Sequence, residues 1–176
     1  LGVDLAQLVR PDGLGKQESI LVENHAGVLA RVAGLFARRG FNIDSLAVGV
    51  TEDEKISRIT IIADGTAYTL EQIEKQLSKL IDVIKVRHLP AEELLSRELV
   101  LIKVACQPSQ RAELISLAEI AKAKISDITV NTMTLELSDS VPRIKTFEEL
   151  LRPYGIKETV RTGSIAMQKG GASMKL

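Results

Sequence analysis

The side chains able to act as nucleophile, acid, base or metal ligand are few and widely separated. There is one cysteine, Cys106, and there are two histidines, His25 and His88. Cys106 closes an alternating row with Val100, Ile102 and Val104, the pattern of a small hydrophobe in a core rather than of an exposed, activated thiolate. His88 ends a strand-like run and reads as structural, while His25 falls in a turn where it can touch a ligand or simply face water. No Cys-His dyad follows, and so few ligands leave no zinc site. Asp44, Asp64 and the run Glu52-Asp53-Glu54 are turn carboxylates without a partner acid or base. A phosphate-cradling Gly-x-x-x-x-Gly-Lys-Ser/Thr loop and a Gly-x-Ser-x-Gly elbow are both missing from the sequence. The chain offers no catalytic set, and its function is expected to be binding.

The stretch suited to a ligand is Leu21-Val22-Glu23-Asn24-His25-Ala26-Gly27-Val28-Leu29, followed by Arg38-Arg39-Gly40-Phe41-Asn42-Ile43. A strand that turns through glycine into a helix presents backbone N–H groups with no partner of their own, which suit a small carboxylate. Gly27 has no side chain to hold a ligand off. The side-chain oxygen of Asn24 can accept from an ammonium, and Asn42 can do the same from a neighbouring subunit if strands pair. From the residues alone, Asn24 reads equally well as a helix N-cap and Gly27 as a plain turn residue.

The elements that must position this turn follow from periodicity. Residues 1–16 carry Pro11, Gly13 and Gly15 and read as a flexible lead-in. From Ser19 the order is a strand to Glu23, a helix with Val28, Leu29, Val32, Leu35 and Phe36 on one face until Gly40, and strands around Ile43–Val50 and Ile59–Ala63. An amphipathic stripe of Leu70, Ile73, Leu77, Leu80 and Ile81 and a strand over Val83–His88 complete it. This is β-α-β-β-α-β. The same order recurs as Leu99–Cys106, a helix over Arg111–Ala123, strands Ser126–Val130 and Met133–Leu137, a helix bearing Ile144, Phe147, Leu151 and Tyr154, then Ile156–Thr159, with Ile165–Met167 closing the sheet. The fold class is therefore α+β, with two ferredoxin-like units at 17–90 and 96–168 and a tail at 169–176. Units this small leave a sheet face or edge to be covered, by sheet-to-sheet pairing or by dimerisation.

Composition narrows the partners. The chain has 176 residues, 45% of them hydrophobic and 26% charged, as expected of a folded domain pair. Lys plus Arg and Asp plus Glu both number 23, so no net field draws it to nucleic acid or an anionic membrane. Aromatic residues are 3%, and the strands that would stack bases carry Ile20, Leu21, Val22, Ile59, Ile61 and Ile62 instead. Nucleic acid and membrane are both excluded as expected partners, and a single cysteine points to a reducing compartment.

Taken together these residues resemble the ACT domain of the regulatory (small) subunit of acetohydroxyacid synthase, also called acetolactate synthase. The resemblance is carried by Leu21-Val22-Glu23-Asn24 with Gly27-Val28-Leu29, by the run from Gly34 to Leu46, and by Ser57-Arg58-Ile59-Thr60. Glu74-Lys75-Gln76-Leu77, Arg97-Glu98-Leu99, Tyr154-Gly155-Ile156 and Arg161-Thr162-Gly163 extend it to about Met167. Ala26 departs from the proline or serine common at that position. The resemblance implies a non-catalytic subunit that partners the catalytic subunit, activates it and confers feedback inhibition by valine, leucine or isoleucine. It implies a homodimer through the ACT domain, with effector contacts at Asn24, Gly27 and Asn42, and with the backbone of His25, Ala26, Gly27, Val28 and Leu29 holding the carboxylate. Ile43 or Leu46 would face the effector side chain. It implies no cofactor in this chain, with thiamine diphosphate, magnesium and FAD confined to the catalytic partner, and a bacterial cytoplasmic or plastid location. The turn chemistry alone fits equally a free-standing ACT amino-acid sensor serving a different enzyme or a transcription factor.

Overall fold

A computed structural model describes residues 16–63 and 67–174. Of the expected lead-in over 1–16, residues 1–15 lie outside the described residues, as does the carboxylate Asp64, while Lys16 already opens a strand. The first unit runs β1 (Lys16–Glu23), α1 (Val28–Arg38), β2 (Ile43–Val50), β3 (Ile56–Ala63), α2 (Ala67–Leu77) and β4 (Val83–Leu89). Its antiparallel sheet has the strand order β2-β3-β1-β4. Period-two alternation sends Ile20, Val22, Ile59, Ile61 and Ala63 toward the helices, where they meet Val28, Val32, Leu35 and Phe36 of α1 and Ile73 and Leu77 of α2. The α1 stripe is apolar at three- and four-residue spacing, which is why this helix buries one face only. It stops where Gly40 takes φ +70° and Phe41 N donates back to Phe36 O at 3.0 Å, a left-handed close that glycine adopts without strain.

The second α2 stripe is shorter than its pattern. Ile73 and Leu77 are buried, but the helix ends at Leu77, so Ile81 falls out of phase and is 90% exposed. On β2, Val48 and Val50 are also exposed, because β2 is an edge strand with no neighbour on one side.

The second unit spans Arg97–Gly163 and contains most of β5 (Leu94–Ala105), then α3 (Arg111–Ala121), β6 (Lys124–Ile128), β7 (Thr132–Asp139), α4 (Val141–Leu151) and β8 (Ile156–Arg161). Its strand order is β6-β7-β5-β8, repeating the first unit. Cys106 is fully buried in its core with Val100, Ile102 and Val104, against Leu114, Met133, Ile144, Phe147 and Leu151. Helix α3 ends two residues before the expected Ala123, since Lys122 adopts φ 60° and Ala123 N returns to Ala118 O at 2.8 Å.

The C-terminal segment spans the expected boundary at 168. Strand β9 (Ile165–Gln168) pairs with β5, yet the segment from Ser164 onward packs with the first unit. Ser164, fully buried, accepts from Gln17 Nε2 at 3.5 Å, shares a hydroxyl contact of 2.6 Å with Ser96, and its N–H donates to Ser45 Oγ at 2.9 Å. Lys169 N donates to Glu93 O at 2.8 Å. Residues 164–174 therefore lie against the sheet face turned away from the helices, the side carrying Gln17, Ser19 and Leu89.

Candidate functional site

The turn between β1 and α1 is built as a helix entry without a side-chain cap. Gly27, not Asn24, is the N-cap of α1, with φ +89° and no side-chain cap bond. At this φ a β-carbon is strained even though none of the surroundings would obstruct it, since nothing lies within 4 Å of its position. The first N–H groups of α1 have no acceptor inside the helix, and the turn that precedes them is exposed from Glu23 to Gly27. A bare helix start with no capping oxygen is suited to an incoming carboxylate.

Asn24 has a different task from the capping considered above. Its Nδ2 donates to Glu54 O at 2.8 Å, and its backbone N–H donates to Lys55 O at 2.7 Å, so it clips the turn to the β2–β3 hairpin. With the amide nitrogen used in this way, Oδ1 is left as an acceptor. Asn42, in the approach to β2, donates Nδ2 to Asp44 Oδ1 at 2.6 Å, which again leaves an amide oxygen as acceptor.

His25 is the centre of a charge network. Its Nδ1 lies 3.1 Å from Ala26 O and its Nε2 lies 3.0 Å from Asp82 Oδ1 and 3.4 Å from Glu23 Oε2. Both ring nitrogens face oxygen acceptors, an arrangement that favours the protonated, doubly donating ring. The Ala26 carbonyl is the largest cause raising the His25 pKa; partial desolvation opposes it, and Asp82 and Glu23 add to it. Arg31 Nη1 meets the other oxygen of Asp82 at 2.5 Å. Burial works against the Asp82 charge, but the Arg31 and His25 bonds outweigh it and hold that carboxyl below its usual range. Glu23, His25 and Asp82 bring one ligand atom each within 4.8 Å of one another, and Arg31 supplies a further cation there. Asp82 and Arg31 were invisible to sequence reasoning: they lie 51 residues apart, in no shared period, and only the α2–β4 junction brings them together.

The remaining expected contacts separate into two groups. Asn24, His25, Ala26, Gly27 and Leu29 are exposed along one continuous turn, with Val28 buried as its anchor. Asn42 and Ile43 are elsewhere. Glu23 at the end of β1 pairs with Ile56 at the start of β3, while Ile43 at the start of β2 pairs with Ala63 at the end of β3. The intervening β3 steps set Asn24 and Asn42 about 20 Å or more apart at opposite ends of one sheet. A single protomer cannot close both around one small ligand. An antiparallel two-fold pairing across the open β2 edge would return the start of a second β2 to the end of the sheet that holds Asn24.

Comparison with known proteins accounts for both units. Residues 19–85 match the family model described as an AHAS small subunit-like ACT domain, and residues 97–170 match the model for the small subunit of acetolactate synthase. The chain is 50% identical to the probable acetolactate synthase small subunit of Methanothermobacter thermautotrophicus, over 89% of this chain and 94% of that protein. It is 44% identical to the acetolactate synthase small subunit of Mycobacterium leprae, over 86% and 90%. The crystal structure of the Thermotoga maritima small subunit superposes with a TM-score of 0.83 at 38% identity, covering 89% of this chain and 98% of that one. No helix among the described residues is long and apolar enough to cross a membrane. With both ferredoxin-like units matched in sequence and in fold, the chain belongs to the acetolactate synthase small-subunit family.

Proposed function

We propose that this chain activates the thiamine-diphosphate-dependent catalytic subunit of an acetolactate synthase and makes it sensitive to valine or a related branched-chain amino acid. Thiamine diphosphate, magnesium and FAD would belong to that partner, and this chain would carry neither cofactor nor catalytic residue. The reading rests on one observation: the bare helix start at Gly27 and the acceptor at Asn42 occupy opposite ends of the same sheet. A site using both is completed only by a second copy.

In that dimer the N–H groups of Ala26 to Leu29 receive the effector carboxylate, and the Asn24 oxygen receives its ammonium. Asn42 of the second copy supplies another acceptor, and Ile43 and Leu46 of that copy wall the aliphatic side chain. Effector binding then stabilises one arrangement of paired ACT domains over another. The preference reaches the catalytic subunit as a coupling of about 1–3 kcal/mol, provided the effector binds the two arrangements with different affinity.

The test is acetolactate formation by the catalytic subunit of the same organism, with and without this chain and with added valine, leucine or isoleucine. Higher turnover with the chain, reversed by one of the three amino acids, is the expected result. Unchanged turnover in every combination, or co-purification with an unrelated enzyme, would reject the reading.

A further inference from the structure

A second candidate site lies in the first unit, on the sheet face away from the helices. Strand register puts Arg58 opposite Leu21 and Arg87 opposite Ser19, and directly opposed residues in an antiparallel pair share a face. Both guanidinium groups therefore rise from the face against which residues 164–174 lie. Between sheet and segment is a cavity of about 420 Å³ lined by Ser19, Arg58 and Arg87 on one side and by Met167, Gln168 and Met174 on the other. This falls in the size range of small-molecule sites, about 300–1,000 Å³.

The polar groups in this cavity are not matched by the protein. Ser19 is 1% exposed, yet its Oγ has no hydrogen-bond partner. Arg58 Nε is likewise buried without a partner. Arg87 Nη1 donates to Gln168 Oε1 at 3.0 Å, a neutral acceptor. Neither arginine has a carboxylate within 4.0 Å among the described residues, and Glu52 is an exposed part of the lining. A buried hydroxyl or N–H left unpaired is costly, and two arginine charges without counter-charges add to that cost. A planar fork of donors from each arginine and one hydroxyl donor is the arrangement that receives an oxyanion. Leu89, Met167 and Met174 give the cavity apolar wall for an organic body beside the charged head.

We propose that the cavity bounded by Ser19, Arg58, Arg87 and the 166–174 segment binds a small doubly charged oxyanion, of the phosphate or dicarboxylate class, independently of the amino-acid effector. The site is separate from the β1–α1 turn. Ser19 precedes Asn24 by five residues, about 16 Å along an extended chain, and it faces away from the helix layer that the turn enters. The ligand bridges sheet and C-terminal segment, so its binding also holds 164–174 in place.

Calorimetric titration of the full chain, without catalytic subunit, tests this with inorganic phosphate and succinate as probes and with valine as comparison. Binding of phosphate or succinate below about 10 mM is expected, and whichever probe binds more tightly identifies the anion class. Arg87→Met and Arg58→Met should each weaken that binding about tenfold or more, the loss of one charge-assisted contact. Ser19→Ala, which removes only an oxygen, should weaken it by a smaller factor with unchanged circular dichroism, and so guards against a folding defect in the arginine variants. Gly27→Asp should leave anion binding intact, whatever it does to valine. No binding of either probe at 10 mM, full affinity in the arginine variants, or displacement of the probe by valine would each overturn the proposal. None of these outcomes depends on whether the chain regulates a synthase.

Discussion

Replacing Gly27 by aspartate separates charge from backbone strain at the point where the effector carboxylate is proposed to be held. Gly27 has φ +89°, and a β-carbon built there meets nothing within 4 Å. Any L-residue at this φ pays about 1–2 kcal/mol of stability, and an aspartate recovers about 0.3–1 kcal/mol by facing the positive end of α1. The folded chain should therefore survive either Gly27→Ala or Gly27→Asp. Effector binding should not respond equally. A carboxylate placed about 5 Å from the bound carboxylate, at an effective dielectric near 20, repels it by about 3 kcal/mol, roughly two orders of magnitude in affinity. Alanine carries the strain without the charge and should change affinity only a few fold. The assay is acetolactate formation by the reconstituted enzyme over a valine series, with calorimetry on the isolated chain beside it. Gly27→Asp should abolish inhibition while activation persists. If its inhibition midpoint equals that of the parent chain, or if Gly27→Ala loses as much as Gly27→Asp, the carboxylate is not held at this turn.

Three further outcomes follow from the geometry. In an NMR titration the His25 imidazole should titrate above its ordinary pKa, and Asp82→Asn should move it back down; an ordinary midpoint in both chains would refute the network. His25 thus contributes stability that is full below its unfolded pKa and is lost as pH rises through the raised folded value, whereas Asp82, whose pKa is depressed, contributes stability lost only as pH falls through its lowered value. Deleting residues 164–176 should lower the unfolding midpoint of the first unit, although the deleted chain follows the second. It removes the bonds of Ser164 to Gln17 and Ser45 and the cover over Leu89, a loss of about 2–4 kcal/mol by urea denaturation; an unchanged midpoint would contradict the packing. In the second unit, Arg161 pairs with Glu98, whose side chain is 6% exposed, and with Glu148. Arg161→Met should cost about 2 kcal/mol by stranding that carboxylate, and Glu98→Gln in the same chain should recover part of it.

The repeated β-α-β-β-α-β order was legible because its core positions are apolar at helix or strand spacing, as in Val28, Val32 and Phe36 or in Val100, Ile102 and Val104. What escaped the pattern was polar burial. Strand β5 starts at Leu94, five residues before the apolar row suggests, because the core-side position of that stretch is Glu98, neutralised by Arg161. The outer face of the first sheet buries Gln17, Ser19 and Thr60, which a hydrophobic reading assigns to solvent. For the same reason residues 164–174 looked like the end of the second unit and a tail, whereas hydroxyl and amide bonds from Ser164 attach them to the first. At the β1–α1 turn, residue types pointed to Asn24 and Gly27, with Asn42 ahead of β2, and only the family resemblance suggested one site for all three. Spacing could not show that Asn24 clips the hairpin, that Gly27 takes the cap position, or that Asp82 and Arg31 complete the charge network around His25.

The central claim is that one effector site is shared between two copies, and mixing variants tests it most directly. Asn24→Ala and Asn42→Ala chains each lack one half of every site and should bind no valine on their own by calorimetry. Unfolded and refolded together in equal amounts, half of the dimers are mixed and each regains one intact site, so binding should return at about a quarter of the parent stoichiometry. Mixing that restores nothing, while both variants still dimerise, would contradict a site built from opposite ends of two sheets.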